Sequence, residues 1–307
     1  MPGLSDKRLL FVTGKGGVGK TTVALALGIA AARRGLRTVV AEMSGQARGA
    51  GAFGRRADAG EEVELADGLW GFSLDVPRAM EEYLHERAGR LGDLLAASRA
   101  FHGFAAATPG MRELIAVGKA WELAQDPRRV DGTRPYDLVI VDAPATGHAL
   151  GALRAPRTFA RIARVGPIAH QGTAIDATLT DPGQTAVVAV ALPEEMPVSE
   201  TLSLERRLRD EVGLALAEVV VNACLPQRIG PRQARTVAGA LERARTPLAR
   251  AALGAAASEH ARAAAQREQV ERLGAGIGRE PLSLPYRFGA LDRAALGSLA
   301  DDLEPAL

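Results

Sequence analysis

Gly14-Lys15-Gly16-Gly17-Val18-Gly19-Lys20-Thr21-Thr22 is the stretch from which this chain is best read. It fits G-x-x-x-x-G-K-[ST], the phosphate-cradling loop pattern. The residues before it, Arg8 to Thr13, form an apolar run that predicts a short buried strand, and those after it, Thr21 to Arg34, predict a helix ending at Gly35. Strand before and helix after are the context the pattern requires. Glycines let the backbone wrap close to a phosphate, and the loop amides and helix N-terminus then face the anion. In such a loop Lys20 reaches the β- and γ-phosphates of ATP, and the Thr21 hydroxyl ligates Mg²⁺.

The composition is that of an ordinary globular chain: 307 residues, 47% hydrophobic, 24% charged. A net charge of +2 gives no field that calls for nucleic acid or an anionic membrane. Lysine is scarce: of 38 basic residues only Lys7, Lys15, Lys20 and Lys119 are lysines, and two of these lie in the loop. One cysteine, Cys224, excludes an intrachain disulfide and a cysteine-based metal cluster. There is no leader-like apolar segment at the N-terminus and no run of about 18 apolar residues, so the expectation is a cytoplasmic protein without stable membrane insertion.

Strands are predicted at Thr38–Ala41, Trp70–Val76, Tyr136–Val141, Ala186–Leu192, Ala217–Asn222 and Leu282–Leu284. Residues 42–67 read as a polar, Gly-rich loop. A helical region follows from Asp75 to about Gln125, with Leu84, Leu91, Leu94 and Leu95 on its apolar face and a break at Pro109-Gly110. Asp142 to Gln184 reads as loop and short helix. Helices are expected at Ser199–Val212, at Arg232–Leu273 with a break near Pro247, and at Asp292–Leu303. Alternating strands and helices predict an α/β fold, a doubly wound and mostly parallel sheet with a small helical subdomain. The expectation is one domain over 1–307, with helical insertions at about 77–130 and 156–183.

A phosphate loop needs a carboxylate at the end of a neighbouring strand to hold Mg²⁺, usually through water. Asp142 follows the apolar run ending at Val141 and is the candidate; a turn or helix-cap aspartate is the other reading. After it, Ala143-Pro144-Ala145-Thr146-Gly147-His148 reads as a flexible loop that senses the γ-phosphate. Asn222, at a strand end, can pair with a base edge or serve as a turn residue.

The loop and the Asp142–His148 segment together resemble the arsenite-pump and tail-anchored-protein-targeting ATPase family, dimeric phosphate-loop NTPases that share the deviant K-G-G-V-G-K-T-T loop. The second segment is similar to that family's D-T-A-P-T-G-H switch. Leu192-Pro193-Glu194, Glu200-Thr201, Val221-Asn222 and Leu284-Pro285 match further. The resemblance implies a Mg-ATP-dependent ATPase, homodimeric or heterodimeric, that handles a membrane-protein client. It implies that Lys20 binds nucleotide in cis and that Lys15 contacts the nucleotide of the facing subunit. It also implies that Asn222 and Pro285 frame the adenine.

Three features depart from the family. Its first switch carries an aspartate that positions the attacking water; Ser44 falls there, with Glu42 two residues earlier. Serine is a poor base unless activated. Either Glu42 takes over, or hydrolysis is slow, or a partner supplies the group; a capping or salt-bridged strand-end glutamate is the other reading of Glu42. In this respect the chain resembles a bacterial branch with Glu-x-Glu-Gly, one glutamate lost. The Cys-x-x-Cys of eukaryotic relatives is absent, so no zinc is expected. The second insertion is short and methionines number only five, which argues against a groove for a whole transmembrane helix; Phe101, Phe104 and Met111 are candidates to line a smaller one or to pack as a helical core face. A non-hydrolysing subunit of a heterodimer is the competing expectation. A septum-site type of positioning ATPase is a third, weakened by the acidic Asp301-Asp302-Leu303-Glu304 near the C-terminus.

Overall fold

Six consecutive buried residues, Leu9–Gly14, form β1. Leu9 and Phe11 enter one core and Leu10 and Val12 another, the period of two expected of a strand covered on both faces. The computed structural model describes residues 3–45, 47–85, 108, 110–128, 134–289 and 291–307. After β1 come α1 (Lys20–Arg33), β2 (Thr38–Glu42), α2 (Arg48–Ala52), β3 (Glu62–Ala66) and β4 (Leu69–Ser73). Residues 76–85 are helical. Then follow α3 (Met111–Leu123), β5 (Leu138–Ala145), α4 (Thr146–Ala163), α5 (Pro167–Thr180), β6 (Thr185–Ala191), α6 (Glu195–Val212) and β7 (Leu216–Cys224). The chain closes with α7 (Pro231–Glu242), α8 (Pro247–Ile277), β8 (Leu282–Pro285) and α9 (Arg293–Leu303).

The strands form one sheet in the order β3-β4-β2-β5-β1-β6-β7-β8. All neighbours are parallel except β3 and β4, an antiparallel hairpin at one edge. Helices cover both faces. Val23, Leu27, Leu296 and Leu299 of α1 and α9 pack on one; Val117, Leu150, Leu153, Ile175 and Leu204 of α3 to α6 pack on the other. This is the doubly wound α/β arrangement of a phosphate-loop NTPase. The carboxyl ends of β1, β2 and β5 lie together at one edge, where such sheets hold their ligands.

Several expectations are corrected. Residues 43–67 are not all loop: α2 and β3 lie there, and Glu62-Val63-Glu64-Leu65 carries the charged/apolar alternation of an edge strand. The turn to β4 is Asp67-Gly68, with Gly68 at φ 72°, a hairpin signal passed over. The strand expected at Trp70–Val76 ends at Ser73, and Val76 is already helical. Residues 146–180, expected as loop and short helix, are two packed helices of 18 and 14 residues. Pro156 sits inside α4, where proline costs about 3 kcal/mol; burial of Leu150, Leu153 and Pro156 itself offsets that. Thr146-Gly147-His148 is therefore the first turn of a helix and not a flexible loop. Leu91, Leu94, Leu95, Phe101 and Phe104, with the rest of residues 86–107, lie outside the described residues.

A buried ionic cluster ties the β3 edge to the chain entering β5. The Glu62 carboxylate accepts two hydrogen bonds from the Arg128 guanidinium, at 2.9 and 2.7 Å, and one from the Tyr136 hydroxyl at 2.6 Å. Burial pushes the Glu62 carboxyl up, but Arg128 and Tyr136 outweigh it and hold it below its ordinary value of 4.5. Stability from this carboxylate is present above that value and is lost as pH falls through the depressed one. The Arg128 side chain is fully buried, and without Glu62 its charge keeps only the longer 3.5 Å contact to Glu122. We expect Glu62→Met to cost about 3–5 kcal/mol in urea unfolding, and Glu62→Met with Arg128→Met to cost clearly less. A double variant at least as unstable as the sum of the singles would show that the pair is not coupled.

Candidate nucleotide-binding site

The loop between β1 and α1 is fixed from below by packing that only glycine permits. A Cβ on Gly14 would collide with the Val190 carbonyl oxygen of β6. A Cβ on Gly19, which stands at φ 92°, would collide with the Asn222 side-chain amide of β7. That amide donates to the Val18 carbonyl at 2.9 Å, and its own oxygen accepts from the Ala223 N–H at 2.9 Å. Val18 is buried in the core beside α1. The loop is thus held over two strands, while Gly16 and Gly17 have open space before them.

The two loop lysines diverge. The Lys20 ammonium folds back and donates to the Lys15 carbonyl at 3.1 Å. Burial lowers its pKa, and the nearby Asp142 charge opposes that shift without cancelling it. Lys15 instead pairs with Glu200 of α6 at 3.0 Å, both side chains about one-third exposed.

Parallel pairing of β2 with β5 sets Glu42 directly beside Asp142. Both are buried, so each carboxylate requires partners. Glu42 takes two backbone donors from α2: Arg48 N–H at 2.9 Å and Gly49 N–H at 2.7 Å. Asp142 accepts from the Thr21 hydroxyl at 2.6 Å, and its second oxygen is buried without a hydrogen-bond partner among the described residues. Burial raises the Asp142 carboxyl to about 6; the Thr21 hydrogen bond opposes the shift, and the neighbouring Glu42 charge adds to it.

Lys20, Thr21, Ser44, Arg48 and Asp142 line one cavity of about 440 Å³ above the loop. That volume is in the range of small-ligand sites. Among its described lining residues Asp142 supplies the only carboxylate. The unsatisfied Asp142 oxygen beside the Thr21 hydroxyl suits a hard divalent cation that takes one or two protein oxygens and completes its shell with phosphate and water. Thr21 and Asp142 would hold Mg²⁺ there, and Mg²⁺ would supply charge against the β- and γ-phosphates.

The structure therefore brings together Gly14 to Thr22, Asp142 and Ser44. Glu42 is adjacent, but both its oxygens are engaged with α2. Asn222 lies under the loop, and Pro285 opposes Cys224 at the end of the next strand. Arg48 was missed because its role depends on where α2 is anchored, which no local pattern announces. Cys224 is a half-buried free thiol, pushed up by burial, and no metal-type cluster of His, Cys, Asp and Glu occurs among the described residues. His148 Nδ1 lies 3.6 Å from Glu113 of α3, a contact between the second switch and the helical insertion.

A model of the anion-transporting ATPase family matches residues 7–171 and 162–236. The chain belongs to that family. It is accordingly a nucleotide-binding ATPase. The ATPase BagA of Mycobacterium tuberculosis is 32% identical over 239 residues, covering 75% of this chain and 68% of that protein. The ATPase GET3 of Pyricularia oryzae is 30% identical over 219 residues, covering 67% and 58%. An ATPase ASNA1 homolog of Entamoeba dispar is 26% identical over 257 residues, covering 71% and 76%. As in this ATPase family the nucleotide is the ligand of the loop, its fit can be tested through the one perturbed carboxyl in the cavity. The free Asp142 carboxyl holds a proton below about pH 6, and cation binding must displace it. We expect Mg-ATP affinity to fall as pH drops below about 6, approaching tenfold per unit, with a proton release that Asp142→Asn abolishes. Calorimetry in two buffers of different ionisation enthalpy measures that release; an equal release from the asparagine variant would remove Asp142 from the cation site.

Proposed function

We propose that this ATPase works as one half of a two-subunit, Mg-dependent motor, with ATP closing the pair and hydrolysis or release opening it. Handling or targeting of a membrane-protein client is the output. The observation that carries this reading is the divergence of the two loop lysines. Lys20 serves its own loop, whereas Lys15 faces outward to Glu200, free to exchange that partly exposed partner for a phosphate presented by a second subunit. The resemblance of Lys15 to a signature lysine acting in trans supports the same assignment. Phosphates lie on Gly14 to Thr22, Mg²⁺ on Thr21 and Asp142, and the base lies between Asn222 and Pro285. To take a base edge, the Asn222 amide would exchange its bond to Val18. Glu42 contributes by holding α2 rather than by drawing a proton from water, because both its oxygens already accept amide hydrogens. The partner is a second copy or a related subunit. No helix among the described residues is long and apolar enough to cross a membrane, so contact with the client's apolar segment takes place on a surface of the folded protein.

A second reading, a subunit that binds nucleotide and leaves hydrolysis to its partner, is favoured by Ser44, which lines the cavity where the family's switch carries a carboxylate. Steady-state turnover of the purified chain alone separates the two. For the leading reading we expect Lys20→Ala to weaken ATP binding at least tenfold. Lys15→Ala should retain binding within a few-fold while losing nucleotide-dependent dimerisation by analytical ultracentrifugation and turnover with it. Glu200→Gln should favour the closed dimer by freeing Lys15 from an exposed pair worth less than about 1 kcal/mol. A Lys15→Ala protein that dimerises and turns over normally would sink the two-subunit assignment.

A further inference from the structure

We propose that Arg48 is a catalytic residue of this ATPase, its guanidinium neutralising charge on the γ-phosphoryl group during transfer, with Glu42 as the positioning residue that sets it there. The proposal rests on the ATPase reading and extends it to a residue outside the loop.

Three observations converge on Arg48. First, it shares the cavity with Lys20, Thr21 and Asp142, close enough that its charge helps hold the Asp142 carboxyl down. No ion-pair or hydrogen-bond partner occupies its guanidinium among the described residues, whereas Lys15 and many surface arginines are paired.

Second, the backbone that carries it is fastened at three successive amides. Ala47 N–H donates to the Ser73 hydroxyl at 3.1 Å, and Arg48 N–H and Gly49 N–H donate to the two Glu42 oxygens. Ala47 stands at φ 43°, a left-handed conformation costly for any residue with a side chain, which turns the chain out of the switch and into α2. Gly49 lets the carboxylate approach, since a Cβ there would press on the Glu42 oxygen and on Leu25. A buried carboxylate, a strained alanine and a required glycine form a costly mount for a five-residue helix. It fixes the backbone position from which the exposed Arg48 side chain, unpaired among the described residues, borders the cavity.

Third, Asp142 is the only carboxylate among the described residues that line the cavity, and charge stabilisation is the contribution Arg48 can make there. In the transfer, the water oxygen bonds to the γ-phosphorus. The bond from that phosphorus to the β–γ bridging oxygen breaks and leaves its electron pair on ADP. The proton of the attacking water passes to a phosphate oxygen, giving ADP and inorganic phosphate. Negative charge is spread over the equatorial oxygens in between, and a planar, permanently charged guanidinium suits them better than a point charge does.

The test compares wild type with Arg48→Ala and Arg48→Lys in two measurements. In single-turnover hydrolysis at saturating Mg-ATP we expect Arg48→Ala to slow the rate about 100-fold or more while ATP affinity changes less than about threefold, with partial recovery on adding free guanidinium at millimolar concentration. In calorimetry with Mg-ADP and tetrafluoroaluminate, which mimics the flat phosphoryl group, we expect Arg48→Ala to lose the tightening that the fluoride complex gives wild type, while Mg-ADP alone binds unchanged. The second measurement needs no turnover. An Arg48→Ala protein that keeps both the rate and the tightening overturns the proposal, as does a loss of ATP and ADP affinity that matches the loss of rate, which would make Arg48 an ordinary phosphate-binding cation. A wild-type protein that binds nucleotide but shows neither hydrolysis nor tightening fails the ATPase reading itself, and the catalytic role of Arg48 with it.

Discussion

Two buried carboxylates stand side by side because β2 and β5 pair in parallel register at Glu42 and Asp142. Two like charges in a poorly hydrated place repel, and each also loses water. The site is the solution to that conflict. Glu42 keeps its charge and has it solvated by two amides at the start of α2, which fixes the first switch to the strand. Asp142 receives only the Thr21 hydroxyl, and the Glu42 charge beside it adds to burial in raising its carboxyl. One carboxylate is thereby satisfied and structural. The other is left under-satisfied, and an under-satisfied buried oxygen facing a cavity is what a divalent cation relieves.

The same register links both switches to the phosphate loop. Thr21, in the first turn of α1, touches the end of β5; Glu42, at the end of β2, holds α2; and β5 runs without a break into α4. Any ligand that draws Thr21 and Asp142 together acts on the base of α4, and His148 in its first turn already lies beside Glu113 of α3. The helical insertion thus meets the first turn of the helix that continues β5 from Asp142.

Much of this was legible in the sequence. The phosphate loop, β1, α1, the apolar strands and Asp142 could be read because their chemistry is local: glycine spacing, an apolar run, a carboxylate following it. The roles of Glu42 and Arg48 were not legible. A strand-end glutamate reads alike as a base or a cap until the position of the next helix is known, and α2 is too short for its periodicity to announce it. Residues 146–180 misled for a different reason. Thr146-Gly147-His148 and Pro156 carry turn and breaker signals, and those were outweighed by burial of a helical face that only the tertiary structure supplies. Glu62-Val63-Glu64-Leu65 was passed over because two glutamates look like loop, although on an edge strand alternate charge is what blocks further pairing.

The scarcity of lysine gives the charge pattern its sense. In a chain where 34 of 38 cations are arginines, each of the four lysines has a definite place: Lys7 on the Pro182 carbonyl, Lys119 between Glu82 and Glu122, Lys20 on the loop, Lys15 on Glu200. Compact ammonium groups are thus found where a carbonyl or a narrow anion site must be filled. The cavity uses both kinds of cation. Lys20 folds back onto the Lys15 carbonyl within the loop, and Arg48 borders the same cavity. Asp142 is the one carboxylate among the described lining residues, with Glu42 held beside it by the amides of α2. Nucleotide therefore meets a site bordered by two cations and by a carboxylate with one oxygen unsatisfied among the described residues. That arrangement favours binding of Mg-ATP over free ATP, because ATP without its metal would bring its γ-phosphate against the Asp142 carboxylate uncompensated.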